Sequence, residues 1–424
     1  MQNSCFPNAP GEWKCGFVQA LANINPRYAL IKGKVYPFIE MASVAENFGG
    51  INELGTRKLE GSGLTRFKTG DTLFAKITPC PENGKVAFVP EMLGSFGLGS
   101  TEFIVLSPRN NCNPRFLFHL LCADAVRGRA TARMEGSTGR QRVPDDVFNR
   151  RLIVSAPLPE EQTAIARILD AVDIAMDHLR ETLDRATLLR LGLLQSAFAF
   201  EWTDEPMKET DVGQIPQSWD AIKGKQAFNV IASGNSSIDA LKHSQGLAID
   251  AWFMKVDDFN LPENQRVILR TKVGFSATEN KGFRTLPIGT VVIAKRGAAI
   301  LKNRVRTTVV PIALDPNLMG LQMLPGLRSE FFKYQLEWRN LARYVESSGI
   351  PQLNNKDLYP RWFLRAPDEH QRQIIQVISA AEARQDALSA QIIALEQLKK
   401  SLLHDLLTGI VRVRPEQLSA ILPP

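Results

Sequence analysis

The chain lacks most of the features that announce an enzyme or a membrane protein. No apolar run among its 424 residues reaches the ~20 needed to span a bilayer, and the opening MQNSCFPNAPGEW has no basic-then-apolar leader pattern. Cysteine is scarce: Cys5, Cys15, Cys80, Cys112 and Cys122 all fall in the first half and form no C-x-x-C. An odd, one-sided set argues against a disulfide framework or a zinc site, and for a reducing cytoplasm. The five histidines (His119, His178, His243, His370, His404) show no metal spacing; His178 and His370 fall on polar helix positions, where a solvated ring is expected. Gly61-Ser62-Gly63 is too short for a dinucleotide fingerprint, and Gly84-Lys85 lacks the rest of a phosphate loop. No Asn-Pro-Pro-aromatic methyltransferase signature and no nuclease-type Asp/Glu/Lys cluster occurs. The expectation is a chain with no active site, metal or cofactor of its own.

What is present is a repeat. Between Pro157 and Phe200, apolar residues recur at steps of three and four: Ile165, Ile168, Val172, Met176, Leu179, Leu183, Ala186, Leu189, Leu193 and Ala197. That is one stripe on a helix of coiled-coil type. A shift of 209 lays this stretch without a gap on Pro367–Ile410, placing Gln162 on Gln371, Leu179 on Leu388, Leu189 on Leu398 and Leu193 on Leu402. The regions before the two helices also correspond, with looser spacing. Pro10-Gly11-Glu12-Trp13 matches Pro216-Gln217-Ser218-Trp219, which follows a linker, TDEPMKETDVGQ; Gly70–Lys76 matches Gly289–Lys295 as a turn glycine, a short apolar strand and a lysine. Phe116–Arg127 and Glu330–Tyr344 read as helices, each preceding a polar loop: Ser137–Val143 in the first half, Ser347–Leu353 in the second. Thr101–Leu106, Arg151–Ser155 and Arg361–Leu364 read as strands. Each half is thus an α/β globule ending in a helix of about 40 residues, or ~60 Å.

Charge divides unevenly over this frame. The whole chain carries +7, but residues 157–200 carry −3 and 366–412 carry −1, leaving +11 on the globular parts. Basic globules fit a polyanionic partner. The candidate DNA-contacting residues are Lys76, Thr78, Lys85, Arg133, Arg140, Gln141 and Arg142 in the first half. In the second they are Lys295, Arg296, Lys302, Arg304, Arg306, Gln352, Asn354, Asn355 and Lys356. Arg and Lys contact phosphates or guanine edges, while Gln and Asn can pair bidentately with adenine. The loops Ser137-Thr138-Gly139 and Ser347-Ser348-Gly349 join them, because glycine lets backbone approach a ligand closely.

Two diverged globules alternating with two similar long helices resemble the specificity (S) subunit of type I restriction-modification enzymes. The matching motifs are Gly70–Lys76 and Gly289–Lys295, the Ser-x-Gly loops, the helix start Pro159-Glu160-Glu161-Gln162, and the ends Leu193–Phe198 and Leu402–Gly409. The second copy departs slightly, with Pro367–Gln371 at its helix start and Gln385 in place of Met176. The resemblance implies residues 1–156 as target recognition domain 1, 157–200 as a central helix, 201–366 as target recognition domain 2, 367–412 as a C-terminal helix, and 413–424 as a tail. It implies that the helices pair as an antiparallel coiled coil in a pseudo-twofold tandem repeat. It further implies double-stranded DNA as ligand, read as a bipartite asymmetric site, and two adenine-N6 methyltransferase (modification) subunits as partners. Restriction subunits join where present. S-adenosylmethionine, ATP and Mg are then used by those partners and not by this cytoplasmic chain. Three rival readings weigh less: a stand-alone bipartite-site regulator would not need long apolar arms beyond their own pairing, the specificity half of a single-subunit-type restriction enzyme would carry a methyltransferase in cis, and a coiled-coil scaffold is disfavoured by the basic globules.

Overall fold

The computed structural model describes residues 4–61, 63–91, 95–232, 241, 249–345 and 350–413. Residues 414–424 of the expected tail lie outside this set. The chain divides into two units: Met1–Arg180 with Ala390–Pro424, and Glu181–Ser389. Each long helix, Pro159–Phe198 and Asp368–Thr408, contributes one end to each unit.

The two units repeat one strand plan. In the first, a four-stranded antiparallel sheet runs in the order Ala22–Ile24, Phe103–Pro108, Thr72–Ala75, Val86–Phe88. In the second, the order is Phe228–Ala232, Leu318–Met323, Val291–Ala294, Val305–Thr308, with Val267–Ile268 added in parallel at the edge. A further sheet in each unit pairs two strands in parallel, Val35–Ile39 with Phe96–Gly99 and Ala251–Met254 with Ile312–Leu314. Thr72–Ala75 and Val291–Ala294 are buried at every position, as expected of short central strands. A two-stranded ribbon then leads into each long helix: Lys14–Phe17 with Ile153–Ala156, and Asp220–Lys223 with Trp362–Arg365. Trp13 and Trp219 sit just before these ribbons, both buried, and each donates its backbone N–H to the proline three residues earlier.

Some boundaries differ from the sequence reading for local reasons. The helix expected over 116–127 breaks at Ala123, which is extended, giving Pro114–Cys122 and Asp124–Thr131. Its counterpart is Ser329–Arg339, ended by Asn340 at φ +65°. The expected linker holds a hairpin, Met207–Thr210 with Gly213–Pro216, closed through Gly213 at φ +93°. His370 is not simply solvated, because its Nδ1 accepts from Trp219 Nε1 at 3.1 Å.

Each long helix is tied to its globule by a buried glutamine. Gln162 accepts from Asn113 N and donates to the carbonyls of Asn111 and Pro157, at 2.9–3.2 Å. Gln371 does the same with Arg328 N, Gly326 O and Ala366 O, each at 2.8 Å. Both side chains are 1% exposed, so each satisfies three backbone groups that water does not reach. The helix ends then complete the cores. Ile165, Leu169, Leu403, Leu406 and Leu407 pack with Phe74, Phe116 and Phe148, while Leu194, Phe198, Ile374 and Ile378 pack with Phe228, Phe331 and Phe363. At the far end of the second helix, Gly409 adopts φ +75°, and a Cβ there would collide with Pro10.

The helices pack antiparallel in both units. In the first unit Asp173 meets Lys399 at 2.5 Å and Arg180 meets Glu396 at 3.3 Å. In the second, Thr187 accepts from Gln385 at 2.9 Å and Arg190 meets Glu382 at 2.6 Å. The expected stripe is corrected at one point: Leu189 is 60% exposed, and Arg190 turns inward instead. Glu382 and Glu337 draw it in, and Lys333, Tyr334 and Arg266 complete that cluster around Glu382.

Breaking a buried pair strands a charge. Lys399→Met should therefore destabilise the first unit by about 3 kcal/mol, whereas Asp173→Leu with Lys399→Leu should recover most of that loss. Denaturant unfolding of the full chain followed by hydrogen exchange of each unit reads both. Equal loss in the single and double variants would remove the pairing argument.

Candidate nucleic-acid interface

The expected contact residues of the first unit converge where the strand Thr72–Ala75 ends. Lys76 follows that strand, and its carbonyl accepts from Val143 N at 2.8 Å. Thr78 N donates to Gln141 O at 3.0 Å, and Ile77 bridges Arg142. The loop between is closed by two hydrogen bonds between Glu135 and Arg142, each 2.9 Å. Within it, Arg140 N donates to Ser137 O at 2.9 Å, and Gly139 takes φ +78°. That is the third position of a turn requiring positive φ, which explains a glycine after Ser137-Thr138. Ser137, Thr138, Gly139 and Arg140 are all exposed.

The second unit builds the same junction. Leu353 N donates to Lys295 O at 2.9 Å, Gly297 N to Pro351 O at 2.8 Å, and Arg296 bridges Gln352. Lys76, Ile77 and Thr78 therefore correspond to Lys295, Arg296 and Gly297, and Gln141, Arg142 and Val143 to Pro351, Gln352 and Leu353. Val143 and Leu353 are buried and anchor each loop in its core. Ser347, Ser348 and Gly349 lie outside the described residues.

The remaining candidates are placed in several ways. Lys85 Nζ donates to Met41 O at 3.0 Å and Arg133 to Arg129 O at 2.7 Å, so both cations are partly committed inside their unit. Lys76 pairs with Asp145 at 3.1 Å, and Thr78 donates to Glu82 at 2.7 Å. Arg304 donates to Asn260, while Lys302, Asn355 and Lys356 are exposed. Gln352 donates to Asn354 at 3.1 Å. Arg306 belongs elsewhere: its side chain is 12% exposed and joins the buried cluster beside Glu337.

Sequence reasoning missed Glu102. This residue lies in the turn before Phe103–Pro108 and takes Arg142 in a two-pronged bond, Nε to Oε2 at 2.9 Å and Nη2 to Oε1 at 2.7 Å. That bond holds the Glu102 carboxyl below its usual range and the Arg142 guanidinium above its own. Arg140, one turn away, is exposed and has no ion pair among the described residues. The only available signal was an acid inside the expected strand Thr101–Leu106, forty residues from the loop it serves.

One titratable group also escapes the sequence. His119, Asp170 and Asp173 bring metal-ligand atoms within 4.8 Å of one another, although the histidine spacing suggested none. Their charges are already met: Asp170 takes His119 Nε2 at 2.7 Å and Arg115 at 2.5 Å, and Asp173 takes Lys399. Burial pushes the His119 ring below its ordinary value of 6.5. Burial works to raise the Asp170 carboxyl, but hydrogen bonds from His119 and Arg115 hold it below its ordinary value. A depressed histidine gives stability that is complete above its unfolded value and fades as the pH falls below it. The first unit should therefore weaken as the pH falls below the ordinary histidine value of 6.5, and His119→Gln should flatten that slope in denaturation midpoints. An unchanged slope would place the acid sensitivity elsewhere.

Comparison with known proteins agrees with this architecture. Residues 10–186 match the type I restriction modification DNA specificity domain. The chain is 27% identical over 242 residues to the specificity subunit of the type I restriction enzyme EcoAI of Escherichia coli, covering 55% of this chain and 39% of that protein. It thus spans about two fifths of that relative's length. It is 23% identical over 394 residues to a chain of Methanocaldococcus jannaschii assigned as the MjaX specificity subunit, covering 89% and 88%. Its fold is similar to that of the S subunit of a type I restriction-modification system from M. genitalium, with TM-score 0.58 at 14% identity over 95% of this chain and 97% of that one. Among the described residues no helix is long and apolar enough to cross a membrane. With the repeated globules, the paired helices and the matched domain together, the chain resembles the specificity subunits of type I restriction-modification systems.

Proposed function

We propose that this chain is the non-catalytic component that tells an adenine-N6 methyltransferase where to act. Each globule reads one half of a bipartite DNA site through the loop laid against its central strand. The observation that carries this reading is the recurrence of one backbone junction with different side chains: Thr78, Gln141 and Arg142 in one unit, Gly297, Pro351 and Gln352 in the other. One frame with different readers gives two different half-sites, so the whole site is asymmetric. The long helices serve as spacer and as dock for two modification subunits, with restriction subunits added where present. S-adenosylmethionine, ATP and Mg are used by those partners.

Exposed leucines support the docking role against a stand-alone regulator. Leu188, Leu189 and Leu191 are 52–69% exposed on the first helix, and Leu398, which matches Leu189 under the shift of 209, is 46% exposed on the second. A regulator whose helices only paired with each other would have no use for such residues.

If the helices set the spacing, lengthening both should change only the gap in the DNA site. The seam pairs require matched insertions, because extra residues in one helix alone would pull Arg190 out of register with Glu382. Duplicating 179–185 and 387–393 adds one heptad to each helix and keeps the apolar phase. Seven residues add ~10 Å, or about three base pairs. Expressed with its modification subunits, this variant should methylate the same half-sites across a longer gap. An unchanged gap in an active variant would remove the helices as the spacer.

A further inference from the structure

The matched junctions assign different bases to the two readers, an inference that rests on the half-site reading above. Arg142 and Gln352 occupy the same backbone position, each bridged to the residue after the strand lysine and each followed by a buried anchor. Both side chains are exposed. Neither has net charge to offer a phosphate. Gln352 is neutral, and the charge of Arg142 is already met by Glu102. What both offer is direction.

Arg142 is fixed like a base reader. Glu102 grips its Nε–Nη2 edge, and Arg140 O accepts from Nη1 at 3.3 Å. The outer edge, with one hydrogen left on each terminal nitrogen, matches the paired acceptors O6 and N7 of guanine. Arg140 beside it has no ion pair among the described residues and suits a phosphate, which asks for charge more than orientation. Gln352 is held by donating one Nε2 hydrogen to Asn354 Oδ1 at 3.1 Å. Its other Nε2 hydrogen and its Oε1 remain, and that donor–acceptor pair matches N7 and N6 of adenine.

We propose that Arg142 reads a guanine in the first half-site, that Gln352 reads an adenine at the corresponding place in the second, and that Glu102 is the positioning residue for Arg142. The orientation of Arg142, and not its charge, then determines recognition.

The test expresses the full chain with its modification subunits in cells free of other adenine methylation and maps the methylated sites. The wild type should give one bipartite motif; absence of any such motif would defeat the half-site reading itself. Arg142→Gln should move one position of the first half-site from guanine toward adenine and leave the second half unchanged. Gln352→Arg should make the reverse change in the second half alone. Arg142→Lys keeps charge but loses the fork, and should relax preference at that position by roughly 10- to 100-fold. Glu102→Gln should relax the same position without reducing the salt dependence of binding to the wild-type duplex, whereas Arg140→Ala should reduce that dependence and keep the motif. An unaltered motif in Arg142→Gln and Arg142→Lys would overturn the proposal. So would equal weakening on every sequence with a smaller salt slope, which would make Arg142 a phosphate anchor.

Discussion

One charged contact, used twice, holds the frame in register. Under the shift of 209, Asp173 falls on Glu382 and Arg190 on Lys399. In the first unit the first helix supplies the acid and the second the base; in the second unit the roles reverse. This is what antiparallel pairing of a duplicated helix requires. Aliphatic contacts such as Met176 and Leu388 would tolerate sliding by a heptad, but a buried ion pair would not, since sliding leaves both charges without partners. Such pairs add little stability over apolar residues of similar size. Their contribution here is registry.

Registry matters because each helix end is also part of a globule. Gln162 and Gln371 tie the helix starts to the loops before Pro114 and Ser329, and those short helices cover the sheets that carry the loops proposed to read DNA. A path of buried contacts therefore runs, within each unit, from the helical seam to the junction at Lys76 or Lys295. On that path the junctions differ in sequence while the two backbone bonds that join strand to loop recur in each. A base-reading side chain needs orientation fixed in advance, and a phosphate-binding one needs only charge. On the reading proposed above, Arg142 and Arg140, two residues apart, represent the two requirements.

The sequence revealed those parts where period and spacing carry the information. The long helices could be read because apolar residues recur at steps of three and four and one offset repeats them without a gap. The strand–lysine motifs and the glycine at 139 were legible from turn and strand chemistry. The seam was not fully legible. A stripe drawn from hydrophobicity chooses Leu189 over Arg190, since nothing local shows that Glu337 and Glu382 will surround the guanidinium. Glu102, His119 and the hairpin inside 201–216 were missed for a related reason. Each depends on partners distant in sequence or on a turn too short to show a period.

The central claim is that two independent readers share one frame. Replacing residues 1–155 with the matching domain of a relative, and mapping adenine methylation with the modification subunits present, tests it most directly. The account predicts a new first half-site joined to an unchanged second half-site across the same gap. Changes in both halves, in a chain that still binds its modification subunits, would contradict it.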